Sequence, residues 1–148
     1  MRKFHIIKKY QNLNPVLPKR ATSYSAGYDF SSLEEVTINP GEIVFIKTGI
    51  KVEMDKDDTL LIFARSSLGI KKGLMLSNSV GVIDGDYFDN ENNEGHIMFP
   101  LYNFKDQPVT IFKDEKVCQG IFTKYQKTVD DEALSENRIG GFGSSSKL

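Results

Sequence analysis

Short apolar segments broken by glycine and proline restrict the fold of this chain more than any other feature. The clearest strand candidates, at residues 36–38, 43–46, 50–54 and 60–64, are rich in β-branched side chains and are separated by turn residues. Many short strands with turns between them are typical of a β-sandwich or closed β-barrel. The one helix signal is a short stretch at 66–72 that begins with two serines. We therefore predict an all-β fold.

Further strand candidates continue this pattern along the chain. They lie at residues 4–9, 95–99, 109–112 and 117–122, and the first ends in a loop that contains two prolines. Residues 25–30 place small side chains around Tyr28 and Asp29, a pattern typical of a strand with a glycine bulge. Within 117–122, Gln119 is a polar residue among apolar ones, which is either a hydrogen-bonded strand residue or a side chain that points into a site.

Composition excludes several classes of protein. The chain has 148 residues, enough for one domain with a real core, and its 19 basic and 20 acidic residues are interspersed. The absence of a basic face disfavours nucleic acid as a partner. No apolar run approaches the ~18 residues of a membrane span, and the first residues lack the apolar segment of a secretory signal. We predict no membrane association.

Cysteine and histidine usage narrows the location and the metal chemistry. The single cysteine, Cys118, excludes an internal disulfide and suits the reducing cytoplasm. The two histidines, His5 and His96, are too few to form a zinc site without several other ligands. Any bound metal is therefore expected to be a hard ion held by oxygen.

Residues 76–87, LSNSVGVIDGDY, are the most informative stretch. Apolar residues flank a Gly-Asp pair, which predicts a β-hairpin with its tip at Gly85-Asp86 and its returning arm at 95–99. Such a tip offers backbone groups that read the edge of a flat heterocycle and one carboxylate, Asp84, that holds a water molecule for attack. An aspartate in a turn more often only stabilises the turn, so this stretch alone does not show that Asp84 is catalytic.

Two other segments carry candidate chemistry. Arg65, Ser66 and Ser67 follow a predicted strand and are either a phosphate clamp or a serine-capped helix with a surface arginine. Residues 88–95 are acidic and rich in asparagine, and we predict an exposed loop there. Residues 129–148 have the composition of a disordered tail, but their Arg138 and Phe142 among glycines and serines also suit a mobile lid over a ligand.

Five motifs in order resemble those of the trimeric deoxyuridine triphosphatases. They are AGYDFSS (26–32), ARSSLG (64–69), NSVGVIDGDY (78–87), EKVCQGIF (115–122) and RIGGFGSSS (138–146). Each motif is weak alone, but together they span nearly the whole chain. In this chain Ile139 alone separates Arg138 from the glycine pair, one residue fewer than is common in the family, and Lys116 replaces a common arginine.

The resemblance implies a distorted jelly-roll β-barrel that forms a homotrimer with shared active sites. Residues 1–128 would form the barrel, and 129–148 a flexible C-terminal arm that closes over an active site. The implied reaction is hydrolysis of dUTP to dUMP and pyrophosphate with Mg²⁺, in deoxynucleotide metabolism and the exclusion of uracil from DNA. The implied location is the cytoplasm, or the host cytoplasm if the protein is viral.

The resemblance also implies a role for each matching residue. Asp84 would activate the water that attacks the α-phosphorus, Tyr87 would pack against the deoxyribose, and Asp29 would hold metal-bound water, with Mg²⁺ held mainly by the substrate phosphates. The residues implied to bind the uracil edge are Asn78, Val82, Ile83 and Met98. Those implied to bind the phosphates or close the arm are Arg65, Ser66, Ser67, Gln119, Arg138, Phe142, Gly143, Ser144 and Ser145, with Phe142 stacking on uracil.

Three alternatives compete with this interpretation. A dCTP deaminase would need a carboxylate beside the base, and no glutamate lies in the predicted hairpin before Glu91. A non-catalytic barrel that senses nucleotide and regulates a partner protein would not need Asp84 to act as a base. A purely structural jelly roll would leave the order of the five motifs unexplained.

Overall fold

The structure is a computed structural model that describes residues 1–143. Within this range the chain forms twelve strands. They are β1 (Lys3–Ile6), β2 (Lys19–Arg20), β3 (Tyr28–Ser31), β4 (Val36–Ile38), β5 (Ile43–Lys47), β6 (Ile50–Glu53), β7 (Asp58–Ala64), β8 (Leu74–Leu76), β9 (Gly81–Asp84), β10 (Met98–Asn103), β11 (Val109–Ile111) and β12 (Lys116–Lys124). This content confirms the all-β prediction.

The strands form two main antiparallel sheets and two short ribbons. The larger sheet has the order β2-β3-β12-β7-β9, so β9 lies at its edge, and the smaller has the order β5-β10-β8. The ribbons pair β1 with β6 and β4 with β11. Because consecutive strands, apart from β2 and β3, lie in different sheets or ribbons, the chain crosses repeatedly between two layers, as in a jelly roll.

The core lies between the two main sheets. Phe30 of β3 meets Phe99 of β10 edge to face, with ring centroids 5.6 Å apart and planes at 88°. Leu60 and Ile62 of β7 and Leu101 of β10 are buried in the same cluster. Full burial of each such side chain contributes about 1.5–3 kcal/mol, so this layer holds the two sheets together.

Helical structure is limited to short segments of three to six residues within residues 1–143. The predicted helix at 66–72 is confirmed as a π-helical turn, Leu68–Lys72, which ends at Gly73 with a positive φ of 70°. Two 3₁₀ helices span Lys8–Leu13 and Gly85–Tyr87. In this part of the chain no helix has both the length and the apolar character required to cross a membrane.

The first strand is shorter than predicted. β1 ends at Ile6, where it pairs with Ile50, the first residue of β6. Gly49, which precedes Ile50, has a positive φ of 73° and leaves the ladder, so β1 has no partner beyond this point. The Ile7 N–H donates to the Gly49 carbonyl at 2.8 Å, and the chain then turns into the 3₁₀ helix Lys8–Leu13.

The predicted hairpin at 76–87 is wrong. β9 pairs with β7 across the larger sheet, with Ile83 opposite Leu60, whereas the next strand, β10, pairs with β5 and β8. The predicted tip is the 3₁₀ helix Gly85–Tyr87, and the predicted return at 95–99 becomes a strand only from Met98. Apolar alternation fixes which face of a strand is buried but does not specify its partner, which is why the sequence pattern misled here.

Candidate active site

Within residues 1–143, one cavity brings together half of the residues predicted for the site. Its volume is about 230 Å³, and it lies between the edge strand β9, the start of β10 and the returning end of the chain. Eight predicted site residues line it, namely Asn78, Val82, Ile83, Asp84, Tyr87, Met98, Arg138 and Phe142. Residues that are distant in sequence therefore meet at one concave surface.

The edge position of β9 gives the cavity its backbone groups. Among the described residues, β9 is paired on one side only, with β7, and no strand of this part of the chain lies along its outer side. An edge strand presents a row of N–H and C=O groups, which match the donors and acceptors along a flat heterocycle. The Thr59 hydroxyl donates to the Ile83 carbonyl at 3.0 Å and fixes the strand near its end.

Asp84 ends β9 with its carboxylate at the cavity. The backbone leaves the strand at this residue and enters the 3₁₀ helix Gly85–Tyr87. The side chain is 47% exposed, and Arg138 binds it through an ion pair. The Arg138 Nε also donates to Asp86 Oδ1 at 2.6 Å, so one guanidinium joins both carboxylates.

The Arg138 guanidinium is the main charge beside Asp84 and Asp86. Partial burial acts to lower the pKa of Arg138, but the hydrogen bond that it donates to Asp86 and the charges of Asp86 and Asp84 outweigh burial, and the pKa is raised. The arginine therefore stays charged. A further hydrogen bond, from Arg138 Nη1 to the Gly140 carbonyl at 3.1 Å, holds the side chain against its own segment.

Tyr87 forms one wall of the cavity. Its ring is buried, and its hydroxyl donates to the His96 carbonyl at 2.8 Å while Asn93 Nδ2 donates to it at 2.8 Å. Burial raises the pKa of Tyr87, although the hydrogen bond from Asn93 counteracts part of the effect. The phenol therefore stays neutral at physiological pH and presents a fixed apolar face.

The end of the described chain returns to this cavity. Phe142 packs edge to face against Phe45 of β5, with ring centroids 5.0 Å apart, and lines the cavity beside Gly141. A Cβ atom on Gly141 would lie only 2.8 Å from the Tyr87 ring, so glycine allows the close approach. Gly143 does not line the cavity, and Ser144 and Ser145 lie outside the described residues.

A second cluster of predicted residues lies elsewhere on the chain. Asp29 of β3 faces Arg65 at 3.3 Å and Lys116 at 3.6 Å, and Gln119 of β12 lies opposite Asp29 in the sheet register. Ser66 and Ser67 follow directly after Arg65. Because Arg65 and Lys116 share the single carboxylate of Asp29, the cluster has a net positive charge. The serine hydroxyls and the Gln119 amide add hydrogen-bond donors, so the cluster is suited to bind an anion.

The two clusters are at opposite ends of β7. Asp84 lies opposite Thr59, near the start of that strand, whereas Arg65 follows its last residue, Ala64. At ~3.3 Å per residue the backbone positions of Thr59 and Arg65 are separated by about 20 Å. None of the second cluster lines the cavity at Asp84. A single chain therefore does not bring all the predicted residues into one site.

Several residues of the site escaped the sequence analysis. His96 lines the cavity, and Asn93 reaches the Tyr87 hydroxyl from the loop of residues 89–95, here called the asparagine loop. The prediction that this region is merely exposed is wrong, since Asn90 is buried and bonded to Tyr87. The local signal, three asparagines in six residues, did not separate a buried amide network from an exposed turn, because asparagine is common in turns.

Comparison with known proteins identifies the family. The dUTPase family matches residues 14–146. The deoxyuridine 5′-triphosphate nucleotidohydrolase of Lactococcus lactis subsp. lactis (strain IL1403) is 47% identical over 145 residues, covering 97% of both chains. The chain belongs to the dUTPase family. Membership confirms the resemblance and the prediction that the protein is an enzyme.

Solved dUTPase structures have the same fold. The crystal structure of the dUTPase from Streptococcus mutans superposes with a TM-score of 0.79 at 46% identity, covering 84% of this chain and 97% of the other. A mutant dUTPase from phage phi11 of S. aureus gives a TM-score of 0.74 at 18% identity, with 92% and 98% covered. The second likeness concerns the fold alone. Together they confirm the jelly-roll-like architecture of this dUTPase.

Proposed function

We propose that this dUTPase hydrolyses dUTP to dUMP and pyrophosphate, which supplies dUMP to deoxynucleotide metabolism and keeps uracil out of DNA. The observation that carries the proposal is the position of Asp84. Its carboxylate ends an edge strand whose free backbone groups suit a pyrimidine, and it lies beside a buried tyrosine wall. Base, sugar and reacting phosphate of one nucleotide then fall in that order along the cavity.

Asp84 acts as the general base in the proposed reaction. It accepts a proton from a water molecule as the water oxygen bonds to the α-phosphorus, and the bond from that phosphorus to the bridging oxygen breaks. Pyrophosphate leaves with the electron pair of the broken bond. Because Arg138 holds Asp84 in the described structure, the arginine must leave the carboxylate first, and the phosphates of a bound substrate are the natural new partner.

The cavity walls supply recognition of the nucleoside. The backbone of β9, with Asn78 and Met98 beside it, reads the uracil edge, and Phe142 stacks on the ring. Tyr87 packs against the deoxyribose and leaves no room for a 2′-hydroxyl. Since a closed wall rejects an added group by sterics, this contact separates dUTP from UTP.

The second cluster supplies recognition of the phosphates. Arg65, Ser66, Ser67 and Gln119 offer donors in a positively charged region, and Ser144 and Ser145 of the C-terminal arm add hydroxyls. Triphosphates carry several negative charges that a nearly neutral protein must offset locally. Hydrogen-bond donors that are already in position stabilise phosphate charge more strongly in a closed site than in bulk water, because the closed site excludes water.

Mg²⁺ fits this arrangement as a metal held mainly by the substrate. The described residues contain no group of three or more histidine, cysteine, aspartate or glutamate side chains that would cage an ion. Mg²⁺ often binds one or two carboxylates together with substrate phosphates, and Asp29 is the carboxylate next to the phosphate donors. The ion would neutralise phosphate charge there, with Asp29 holding its water.

The separation of the clusters favours a homotrimer with shared sites. Because Asp84 and Arg65 lie about 20 Å apart along β7, much farther than three linked phosphates extend, the phosphate donors of each site must come from a neighbouring subunit. Residues 1–128 form the proposed barrel, and 129–148 the arm that covers a site. In the described part, Arg138, Gly141 and Phe142 of the arm meet the cavity of their own chain. We further propose a cytoplasmic location, in keeping with the buried free thiol of Cys118.

Product analysis with a matched pair of carboxylate variants tests the chemistry. Purified protein is assayed with Mg²⁺ and dUTP, dCTP, dTTP or UTP, and pyrophosphate and nucleotide products are identified. We expect pyrophosphate from dUTP, a loss of about 10²–10⁴-fold in kcat for Asp84→Asn, and a far smaller loss for Asp86→Asn. Asp86 is the control because it lies two residues away and shares Arg138.

Other outcomes would redirect the assignment. Turnover that survives Asp84→Asn would refute the role of the base. A deoxyuridine nucleotide formed from dCTP would indicate a deaminase, and binding of dUTP without any turnover would indicate a sensing protein. Subunit sharing has its own test: mixing refolded Asp84→Asn and Arg65→Ala chains should restore part of the activity, because mixed trimers contain sites with both residues intact.

A further inference from the structure

The Tyr87 hydroxyl is held from two sides by protein groups. It donates to the His96 carbonyl at 2.8 Å and accepts from Asn93 Nδ2 at 2.8 Å. Two bonds in different directions define where the oxygen lies, and the ring position follows from it. The backbone contact of Tyr87 is also occupied, because Asn90 Nδ2 donates to the Tyr87 carbonyl at 2.8 Å.

The orientation of the Asn93 amide is determined by its other partners. Its Oδ1 accepts from Asn90 Nδ2 at 2.8 Å and from the Gly95 N–H at 3.1 Å. Only an oxygen satisfies both donors, so the nitrogen must face Tyr87. Asn90 is fixed in turn, since its Oδ1 accepts from the N–H groups of Asn92 and Asn93.

A buried lysine fastens the asparagine loop to the barrel. Lys51 of β6 has a side chain only 8% exposed, and its Nζ bonds both Asp89 and Glu94, the latter at 2.7 Å. The Glu94 N–H also donates to the Asn90 carbonyl at 3.0 Å. Both ends of the loop are thereby joined to one cation, and Asn93 projects from a rigid support.

We propose that Asn93 is a positioning residue that sets the selectivity for 2′-deoxyribose by fixing the Tyr87 ring. The inference rests on the proposed function, in which Tyr87 forms the sugar wall. Without the Asn93 donor, the hydroxyl keeps one bond and the ring is free to pivot about the His96 carbonyl. A small displacement of the ring opens space for a 2′-hydroxyl, so kcat/KM rises for UTP relative to dUTP.

A selectivity measurement tests the role of Asn93. kcat and KM are measured for dUTP and UTP with the wild type, Asn93→Ala and Glu91→Ala, the last being an exposed residue of the same loop. We expect Asn93→Ala to lower the dUTP-to-UTP ratio of kcat/KM by about tenfold, as for the loss of one buried hydrogen bond. We expect Glu91→Ala to leave the ratio unchanged.

A double-mutant cycle separates positioning from general damage. Tyr87→Phe removes the hydroxyl, so adding Asn93→Ala to it should cause no further loss of selectivity. Asn93→Asp keeps both acceptor contacts but lacks the donor, and its carboxylate competes with the His96 carbonyl for the single proton of the Tyr87 hydroxyl. The hydroxyl again keeps one bond only, so Asn93→Asp should also lower the ratio even if the alanine variant folds poorly. Melting temperatures identify variants that have merely lost stability.

The outcomes distinguish this proposal from the proposed function. An unchanged ratio in Asn93→Asp, or additive effects in the cycle, overturns the role of Asn93 while the activity on dUTP stands. A wild type that turns over dUTP without preferring it to UTP overturns both the sugar wall and its positioning residue. A wild type that turns over neither substrate overturns the proposed function, and the inference with it.

Discussion

His96 is expected to make the stability of this dUTPase depend on pH between about 7 and 5. Its ring is buried in the cavity wall, and its Nε2 accepts a hydrogen bond from the Gly49 N–H at 2.9 Å. Burial, together with the positive charges of Lys9 and Lys47, lowers its pKa from 6.5 to about 4. A protonated ring would lose the acceptor and carry a charge into the barrel.

The size of the effect follows from the two pKa values. The unfolded chain binds the proton more readily, so the contribution of His96 is complete above pH 6.5 and is lost as the pH falls toward 4. With those values the free energy of unfolding falls by about 2 kcal/mol between pH 7 and pH 5, and by about 3 kcal/mol at pH 4.

The comparison uses the variant His96→Gln. The glutamine carbonyl replaces Nε2 as the acceptor for Gly49 but does not titrate. Urea unfolding of both proteins is followed from pH 7.5 to 4.5 at one protein concentration, because the proposed assembly would make the apparent stability concentration-dependent. The wild type should lose about 2 kcal/mol more than the variant between pH 7 and pH 5. Parallel pH profiles of the two proteins would refute the reasoning.

Two further substitutions test features of the barrel. Gly95→Ala should destabilise the protein by about 2–3 kcal/mol in urea unfolding, because φ is +86° and the new Cβ would lie 2.8 Å from the Tyr87 carbonyl. Gly41→Ala, at φ +77° and with open space around the new Cβ, should lower the free energy of unfolding clearly less. Equal losses of stability in the two variants would show that the clash at Gly95 does not contribute. Asp58→Asn should lower the urea midpoint at pH 7. The hydrogen bond from Arg2 lowers the pKa of Asp58 from 3.8 to about 2; burial opposes this shift and Lys124 adds to it. The difference in urea midpoint between the two proteins should therefore vanish as the pH falls through 2. A difference that persists there would exclude this ion pair as its cause.

Much of the fold was predictable because strands and turns leave local signals. Segments such as 36–38 and 109–111 alternate β-branched and polar residues, and both became strands. The partner of β9 was not predictable, since any strand with an apolar face satisfies the same pattern. The short β1 was missed because its end depends on Gly49, a residue more than forty positions away.

The site was predictable where a motif carried it and not where tertiary contacts made it. Asp84 and Phe142 were candidates from their local sequence, the family resemblance added Tyr87 and a role for each, and all three line one cavity. The contact of Arg138 with Asp84 has no local signal, since 54 residues separate the two. The inward amides of Asn90 and Asn93 were hidden because asparagine is equally common in exposed turns.

In the proposed trimer, the position of the two clusters at opposite ends of β7 would link ligand binding to assembly. A nucleoside fills only the cavity of one chain, so its affinity should not change when the protein is diluted. A nucleoside triphosphate that reaches the phosphate donors of a neighbour adds its binding energy to the contact between the two chains. Substrate would thus protect the oligomer from dissociation in a way that the free nucleoside does not.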